Sequence, residues 1–441
     1  MDAKKDNNLM NSIQIAGIPI GYYLLMLVII VAGTCLNKIP NNFLTGFAFC
    51  MILGFLLTWL GKQSKYFDML GGPSLLCLFI PTFLVYLGIF PKSVVKFTKV
   101  FYTGQMGYID YFIASLICGS ILSMDRNILV NAGKRYAVPL LTGVVVSFLG
   151  AGALGIFSGY GFGRGILNLA IPIMGGGIGA GAIPLASIYE GYGYTLGNGA
   201  DVLSMLMPAV TLANIFAILM GALLNALGKK EDRFFTGFSG SGQLMRTGEI
   251  FEKKEEDNKT SATFVSLGIG LLMSGTLYIF GYLVSKMLCP AIHAYAWTIL
   301  TTAVLKIVGL VPRKLEEGAG DWYGLISYIG VPTILVCVSL ISMDIPVILD
   351  ALTDPIYLLI SFVVTVLAAI GAGFGGMLMK MNFVEAAITA GLCMANAGGA
   401  GDVAVLGAAE RMNLMPFAQI SSRIGGAMIL LIASFLTPIL M

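Results

Sequence analysis

The fold class this sequence predicts is an all-α polytopic membrane protein, and three observations predict it. Charged residues make up 11% of the chain against 57% hydrophobic, where soluble domains carry roughly 25% charged residues. Mean hydropathy is +0.88, and apolar stretches near the ~20 residues that cross a bilayer recur from end to end. Two glycine runs interrupt the apolar pattern at matching places in the two halves. A net charge of +3 with no basic stripe excludes a nucleic-acid partner. The seven cysteines, Cys35, Cys50, Cys77, Cys118, Cys289, Cys337 and Cys393, fall in or beside apolar runs without metal-type spacing. They read as small hydrophobes rather than disulfides or zinc ligands.

Residues 1–12 are polar and mixed in charge, so no signal peptide is expected and 13–36 is read as a retained first crossing. Further spans are drawn at 43–60, 70–90, 108–124 and 137–160. Lys62 and Lys65 follow the span 43–60, and Arg126, Lys134 and Arg135 follow the span 108–124. Basic loops face the cytoplasm, which puts the N-terminus inside. The stretch 91–107, read as an external loop, carries Lys92, Lys96 and Lys99 against that rule.

The next span, 203–227, ends at Lys229, Lys230 and Arg233, so it must begin outside. The stretch 164–201 therefore leaves the outer face and returns to it. Broken by Pro172, a glycine run and Pro184, it reads as a re-entrant hairpin. Residues 228–261 hold roughly cancelling charges, including the cluster Glu252-Lys253-Lys254-Glu255-Glu256-Asp257, and are expected to form a solvated cytoplasmic linker.

Spans at 263–288, 291–311, 323–341, 356–379 and 416–441 then put Arg313, Lys314 and Lys380 inside. The stretch 383–410 becomes a hairpin entering from that side. The expected organisation is a tail and first helix (1–36), a first repeat (37–227), the linker (228–261) and an inverted second repeat (262–441). That makes about eleven crossings and two re-entrant hairpins. Inverted repeats with interrupted helices are the sequence mark of a secondary transporter's binding site.

The two tips are Met174-Gly175-Gly176-Gly177-Ile178-Gly179-Ala180-Gly181 and Cys393-Met394-Ala395-Asn396-Ala397-Gly398-Gly399-Ala400-Gly401-Asp402. Irregular backbone at membrane depth is tolerated only where it is buried in protein or lines a cavity. Freed N–H groups there attract an anion, and freed carbonyls a cation. Gly371, Gly375 and Gly376 read instead as close helix packing.

Arg423 lies inside the last span, where arginine costs roughly +2.5 to +3.5 kcal/mol to insert. Gln419, Ser422 and Gly426 are grouped on its face, and its guanidinium offers paired donors to a carboxylate. Asp402, Glu410 and Glu385 are open between binding a cation, carrying a proton, capping and pairing with Arg411. Lys306, near a cytoplasmic span end, is expected to snorkel. The single histidine, His293, sits near the outer end of a span, so a histidine proton relay is not expected. Tyrosine and tryptophan residues near the N-terminus read as interface anchors.

At residues 172–185 and 391–426, through the glycine motifs and Ser421-Ser422-Arg423, the sequence resembles the bacterial 2-hydroxycarboxylate transporter family, and the likeness covers nearly the whole chain. That family holds sodium-citrate symporters, sodium- or proton-coupled malate symporters and exchangers. The resemblance implies a homodimer in which a transport domain carrying both hairpins moves against a dimerisation domain, in an elevator manner.

It further implies that Arg423 binds a substrate carboxylate, with Gly179 and Gly399 touching substrate. Ile173, Gly176, Cys393 and Asn396 would line one sodium site, with Met394 and Ser422 near a second. Citrate-specific members carry asparagine, arginine and serine where this chain has Ile178, Ala397 and Ala400. Loss of those groups implies a smaller dianion such as malate.

The expected function is sodium-coupled symport of such a 2-hydroxydicarboxylate, with sodium as coupling ion and no other cofactor. A citrate/malate exchanger or a proton-coupled symporter is the alternative. A membrane-embedded enzyme is remote, because no His-Glu-x-x-His or glycine–serine elbow is present and acid–base candidates are few.

Overall fold

Inside a bilayer every backbone N–H and C=O must find a partner within the chain, and this chain answers with helices. The computed structural model describes all residues except 1–12, 37, 65–66, 69–71, 104–106, 125, 127–132, 195–201, 230–233, 247–261, 289–291 and 343–344. The N-terminal tail, Lys65, Lys230, Arg233, Cys289 and the charge cluster 252–257 lie outside the described residues. So do the side chains of Cys35, Lys92, Lys134 and Ala400.

An antiparallel hairpin of β1 (Gln14–Ile15) and β2 (Ile18–Pro19) leads into α1 (Ile20–Cys35). Next come α2 (Phe43–Gly61), α3 (Gly72–Tyr86), α4 (Lys92–Thr103), α5 (Tyr108–Leu122) and α6 (Gly133–Phe157). A first helical hairpin consists of α7 (Phe162–Ile173) and α8 (Ile183–Gly191), the latter preceded by a π turn over Ile178–Ala182. The chain continues through α9 (Val202–Gly228), α10 (Phe264–Met287), α11 (Ala294–Val308), α12 (Arg313–Leu325), α13 (Val331–Ser342), α14 (Ile345–Thr353) and α15 (Pro355–Leu378). The second hairpin is α16 (Phe383–Leu392) and α17 (Gly399–Ala408), and α18 (Met412–Leu440) closes the chain.

Among the described residues 7 helical stretches are long and apolar enough to cross a membrane, and this is a multi-pass membrane protein. Helices α3, α5 and α11 have 15 residues each, a rise of about 22 Å, short of a hydrocarbon core of about 30 Å.

Several sequence expectations change. The span drawn from residue 13 begins as a β-hairpin, because Gly17 turns the chain at φ +80 and Pro19 stands at the helix start without a donor. The stretch 91–107 is largely helix α4 rather than loop. Val94, Phe97, Thr98 and Phe101 are buried while Lys96 and Lys99 are exposed, an amphipathic spacing that averaged hydropathy conceals. The span drawn at 323–341 starts ten residues early for the same reason, since α12 carries Glu316, Glu317 and Asp321. Tyr23, read as an interface anchor, is buried and its hydroxyl donates to the Ile52 carbonyl.

Two compact units divide the chain, Met1–Phe112 with Leu325–Ile345, and Ile113–Gly324 with Pro346–Met441. The smaller packs α2, α3 and α4 around α13. A methyl group on Gly54 would stand 2.7 Å from the Pro332 carbonyl oxygen, so α2 and α13 touch backbone to backbone. Ser339 Oγ accepts the Thr82 N–H at 2.9 Å, which serves a helix whose ladder Pro81 interrupts. Rings of Phe43, Phe47, Phe101 and Tyr108 close one end.

The larger unit centres on α6 against α15. A methyl on Gly371 would lie 2.7 Å from the Thr142 carbonyl oxygen and one on Gly376 2.3 Å from Ala386 Cβ, which agrees with the close-packing reading of these glycines. Lys306 does not snorkel. It is buried, pairs with Glu316 at 2.8 Å and donates to the Leu122 carbonyl at 2.8 Å, so its charge is compensated in place. His293 caps α11, its Nδ1 accepting the Tyr295 N–H at 3.3 Å.

The linker is not wholly solvated. Residues 234–246 lie against the start of α16, with Phe238, Ser239, Leu244 and Met245 buried. The Phe383 and Val384 N–H groups donate to the Gly237 and Phe238 carbonyls at 3.0 and 2.9 Å. The strap thereby satisfies donors that a helix start leaves open. Apolar residues Phe235, Phe238, Leu244 and Met245 pull it onto the protein, a signal the charges around them mask.

Candidate functional site: the junction of two helical hairpins

Each hairpin reverses on glycines in backbone conformations that other residues rarely adopt. After α7 ends at Ile173, Gly176 (φ +72) and Gly177 (φ +127) turn the chain; after α16, Gly398 (φ +91) does so. Such values favour a residue without Cβ. The two reversals meet in space. A methyl on Gly177 would stand 2.8 Å from Gly398 Cα and 3.0 Å from the Ala397 carbonyl oxygen. The middle of α18 completes the junction, since a methyl on Gly176 would meet the Ser422 carbonyl oxygen at 2.2 Å and one on Gly426 the Gly175 carbonyl oxygen at 2.7 Å.

At that place α18 is wound as a π turn over Ser421–Gly425, a local widening common at functional sites. Ser422 and Arg423 are adjacent, so they do not share a face as the sequence grouping supposed. Ser422 is buried and Arg423 half-buried. The Ser422 hydroxyl donates to Asp402 Oδ2 at 2.8 Å, and Asn396 Nδ2 donates to Asp402 Oδ1 at 2.9 Å. The Asp402 carboxylate is fully buried, and among the described residues no lysine or arginine pairs with it. A buried carboxylate with two neutral donors is a place for a cation or a proton.

Asn396 Oδ1 also accepts the Gly398 N–H at 2.7 Å. Cys393 and Met394 are buried beside it, the Met394 sulfur 2.9 Å from a methyl placed on Gly425. Ile173 and Ile178 are buried, Gly179 and Ala397 half-buried, and Gly399 is exposed with open space where a Cβ would stand. Thus Gly176, Asn396, Met394 and Ser422 come together at the junction. The guanidinium of Arg423 lies 4.9 Å over the Tyr323 ring and donates to Ser123 Oγ at 3.4 Å. That cation–π contact offsets part of its desolvation.

The three open acidic residues separate. Asp402 belongs to the junction and Glu410 is exposed at a φ of +54 that ends α17. Glu385 takes Arg411, whose Nε lies 3.0 Å from Oε1, and its carboxylate also accepts the Gly240 and Gly242 N–H groups, each at 3.0 Å. Arg411 further donates to Asn225 Oδ1 at 2.8 Å and to the Ala409 carbonyl at 2.7 Å.

Sequence reasoning missed Asn214 on α9, whose Oδ1 accepts the Ala397 N–H at 3.1 Å. It also missed Tyr136, whose hydroxyl lies 2.9 Å from Ser421 Oγ. An asparagine within an apolar span was the available signal for the first. Among the described residues no three His, Cys, Asp or Glu side chains cluster as a metal site; beside the Asp402 carboxylate the junction offers main-chain carbonyls, which carriers use to coordinate sodium.

The model of the 2-hydroxycarboxylate transporter family matches residues 15–435. The chain is 36% identical over 433 residues to the citrate/sodium symporter of Salmonella typhimurium, covering 96% of this chain and 94% of that protein. To the Na(+)-malate symporter of Bacillus subtilis it is 36% identical over 420 residues, 94% of this chain and 90% of the relative. The citrate transporter CitP of Leuconostoc mesenteroides matches at 34% over 442 residues, 99% and 96% of the two chains. With two glycine-tipped hairpins meeting on one helix and such matches along its length, the chain belongs to the 2-hydroxycarboxylate transporter family, and it is a transporter rather than an enzyme.

Proposed function

We propose that the protein carries malate or a similar 2-hydroxydicarboxylate by sodium-coupled symport, across a bacterial cytoplasmic membrane with its N-terminus inside. The observation that carries this reading is the meeting of both tips with α18 around the buried Asn396–Asp402–Ser422 group. Arg423 supplies the fixed cation for a substrate carboxylate, and Gly179 and Gly399 bring main chain to it. Sodium is held by carbonyls and side chains of Ile173, Gly176, Cys393 and Asn396, and near Met394 and Ser422. Relatives named as sodium symporters of citrate and of malate support the coupling. Ile178, Ala397 and Ala400, apolar where the citrate carriers have polar groups, favour the smaller substrate.

In this reading the hairpins are re-entrant parts of two inverted repeats with about eleven crossings. The protein works as a homodimer whose hairpin-bearing domain moves as an elevator. The test is uptake of labelled malate and citrate into proteoliposomes under an imposed sodium gradient. Malate uptake stimulated by inward sodium is expected. Uptake driven instead by a pH gradient would overturn sodium coupling and make Asp402 the proton carrier. Counterflow needing no ion gradient would mark an exchanger.

A further inference from the structure

We propose that Asn214 is the positioning residue that aims the tip of the second hairpin at the coupling ion. This rests on the sodium-coupled reading above and adds a residue of α9 to it.

The side chain of Asn396 is already engaged at both ends, Oδ1 holding the Gly398 N–H at 2.7 Å and Nδ2 bound to Asp402 at 2.9 Å. The group of Asn396 best placed to serve a cation is therefore its main-chain carbonyl. That carbonyl shares a peptide plane with the Ala397 N–H, and in a trans peptide the two point in opposite directions. With the N–H fixed on Asn214 Oδ1 at 3.1 Å, the Asn396 oxygen faces away from α9.

The next carbonyl, of Ala397, already lies against Gly177 at the meeting of the tips. Asn214 is buried, and a methyl on Gly401 would lie 2.6 Å from its Oδ1, so there is no room for its amide and a longer side chain to exchange places. The tip is thus clamped between two asparagines, one in the tip itself and one on α9. Freed carbonyls coordinate sodium in carriers of this kind, and their orientation, not their presence, is what a neutral clamp can set.

A role in orientation separates from a role in stability by which ligand it alters. Full-length protein in detergent is titrated with sodium chloride against choline chloride, reading thermal stability, and the same variants are assayed for malate uptake in proteoliposomes as sodium is varied. In Asn214→Leu the sodium midpoint rises about tenfold, the order expected for loss of one buried hydrogen bond, while the malate midpoint at saturating sodium moves less than about twofold. Asn214→Asp keeps an acceptor oxygen in place, and its sodium midpoint stays at or below the wild-type value.

An unchanged sodium midpoint in Asn214→Leu overturns the proposal. So does an equal rise in both variants, which would mean packing alone. Should the leucine variant not fold, Asn214→Ser, too short to reach Ala397, takes its place with the same expectation. If wild-type protein shows no sodium dependence in either assay, sodium coupling is what fails, and the inference falls with it.

Discussion

The two hairpins are alike in outline and opposite in chemistry. Among the described residues, tyrosine hydroxyls tie hairpin 1 to its surroundings. Tyr189 donates to the Leu167 carbonyl at 2.7 Å, Tyr194 to Asn168 Oδ1 at 2.7 Å, and Tyr192 to the Ser434 carbonyl at 2.9 Å. Hairpin 2 is held by a buried ion pair, Glu385 with Arg411, wrapped by linker backbone. Their tips differ as well, since the first turns on bare glycine while the second holds Asn396 and leads into Asp402. If both tips meet one ligand, the first offers main-chain dipoles and the second offers charge.

The largest expected effect probes the base of hairpin 2. Glu385→Ala strands the Arg411 guanidinium at 4% exposure, and removing one partner of a buried pair costs about 3–5 kcal/mol. Thermal unfolding in detergent reads this directly, and a loss near that of a surface mutation would mean the ion pair is not what holds the base.

At the tips, Gly177→Ala and Gly398→Ala both strain a positive φ by about 1–3 kcal/mol. The first is expected to damage transport more, because its methyl meets backbone at 2.8 Å against 3.3 Å for the second. Initial uptake rates decide between them; equal rates would mean the tips do not press on each other during transport.

On α18, Arg423→Lys is expected to raise the malate KM about tenfold through loss of paired donors while leaving the melting temperature in place. An unchanged KM would assign Arg423 to Tyr323 and Ser123 alone. The smallest effect belongs to hairpin 1. Tyr194→Phe gives up one hydrogen bond, about 0.5–1.5 kcal/mol, with uptake within about twofold of wild type. A larger loss would make the base of hairpin 1 as demanding as that of hairpin 2.

What the sequence made legible was set by strong local signals. Long apolar spans such as Val202–Gly228 and Pro355–Leu378 announce themselves by length, and the glycine runs mark both reversals. Amphipathic helices did not announce themselves, because α4 and the start of α12 average to near-neutral hydropathy. Lys306 was misread because its partner Glu316 lies in the next helix, and no spacing rule connects them. The contact from Asn214 to Ala397 spans 183 residues, and a side chain's partner at that separation is fixed by packing rather than by pattern. The strap 234–246 hid behind its charged neighbours. Its glycines do not read as ligands, yet Gly240 and Gly242 give their N–H groups to Glu385.

The strap also bears on how the polypeptide can be divided. Gly240 and Gly242 come before the second half in the chain but serve a carboxylate within it, while Asn225 reaches the same ion pair from the end of α9. Two co-produced fragments separated near residue 230 keep the glycine clasp joined to the glutamate it covers. A break placed after Arg246 sends that clasp away with the other piece, and the Glu385–Arg411 pair must then be sealed by reassembly of the fragments rather than by its own chain.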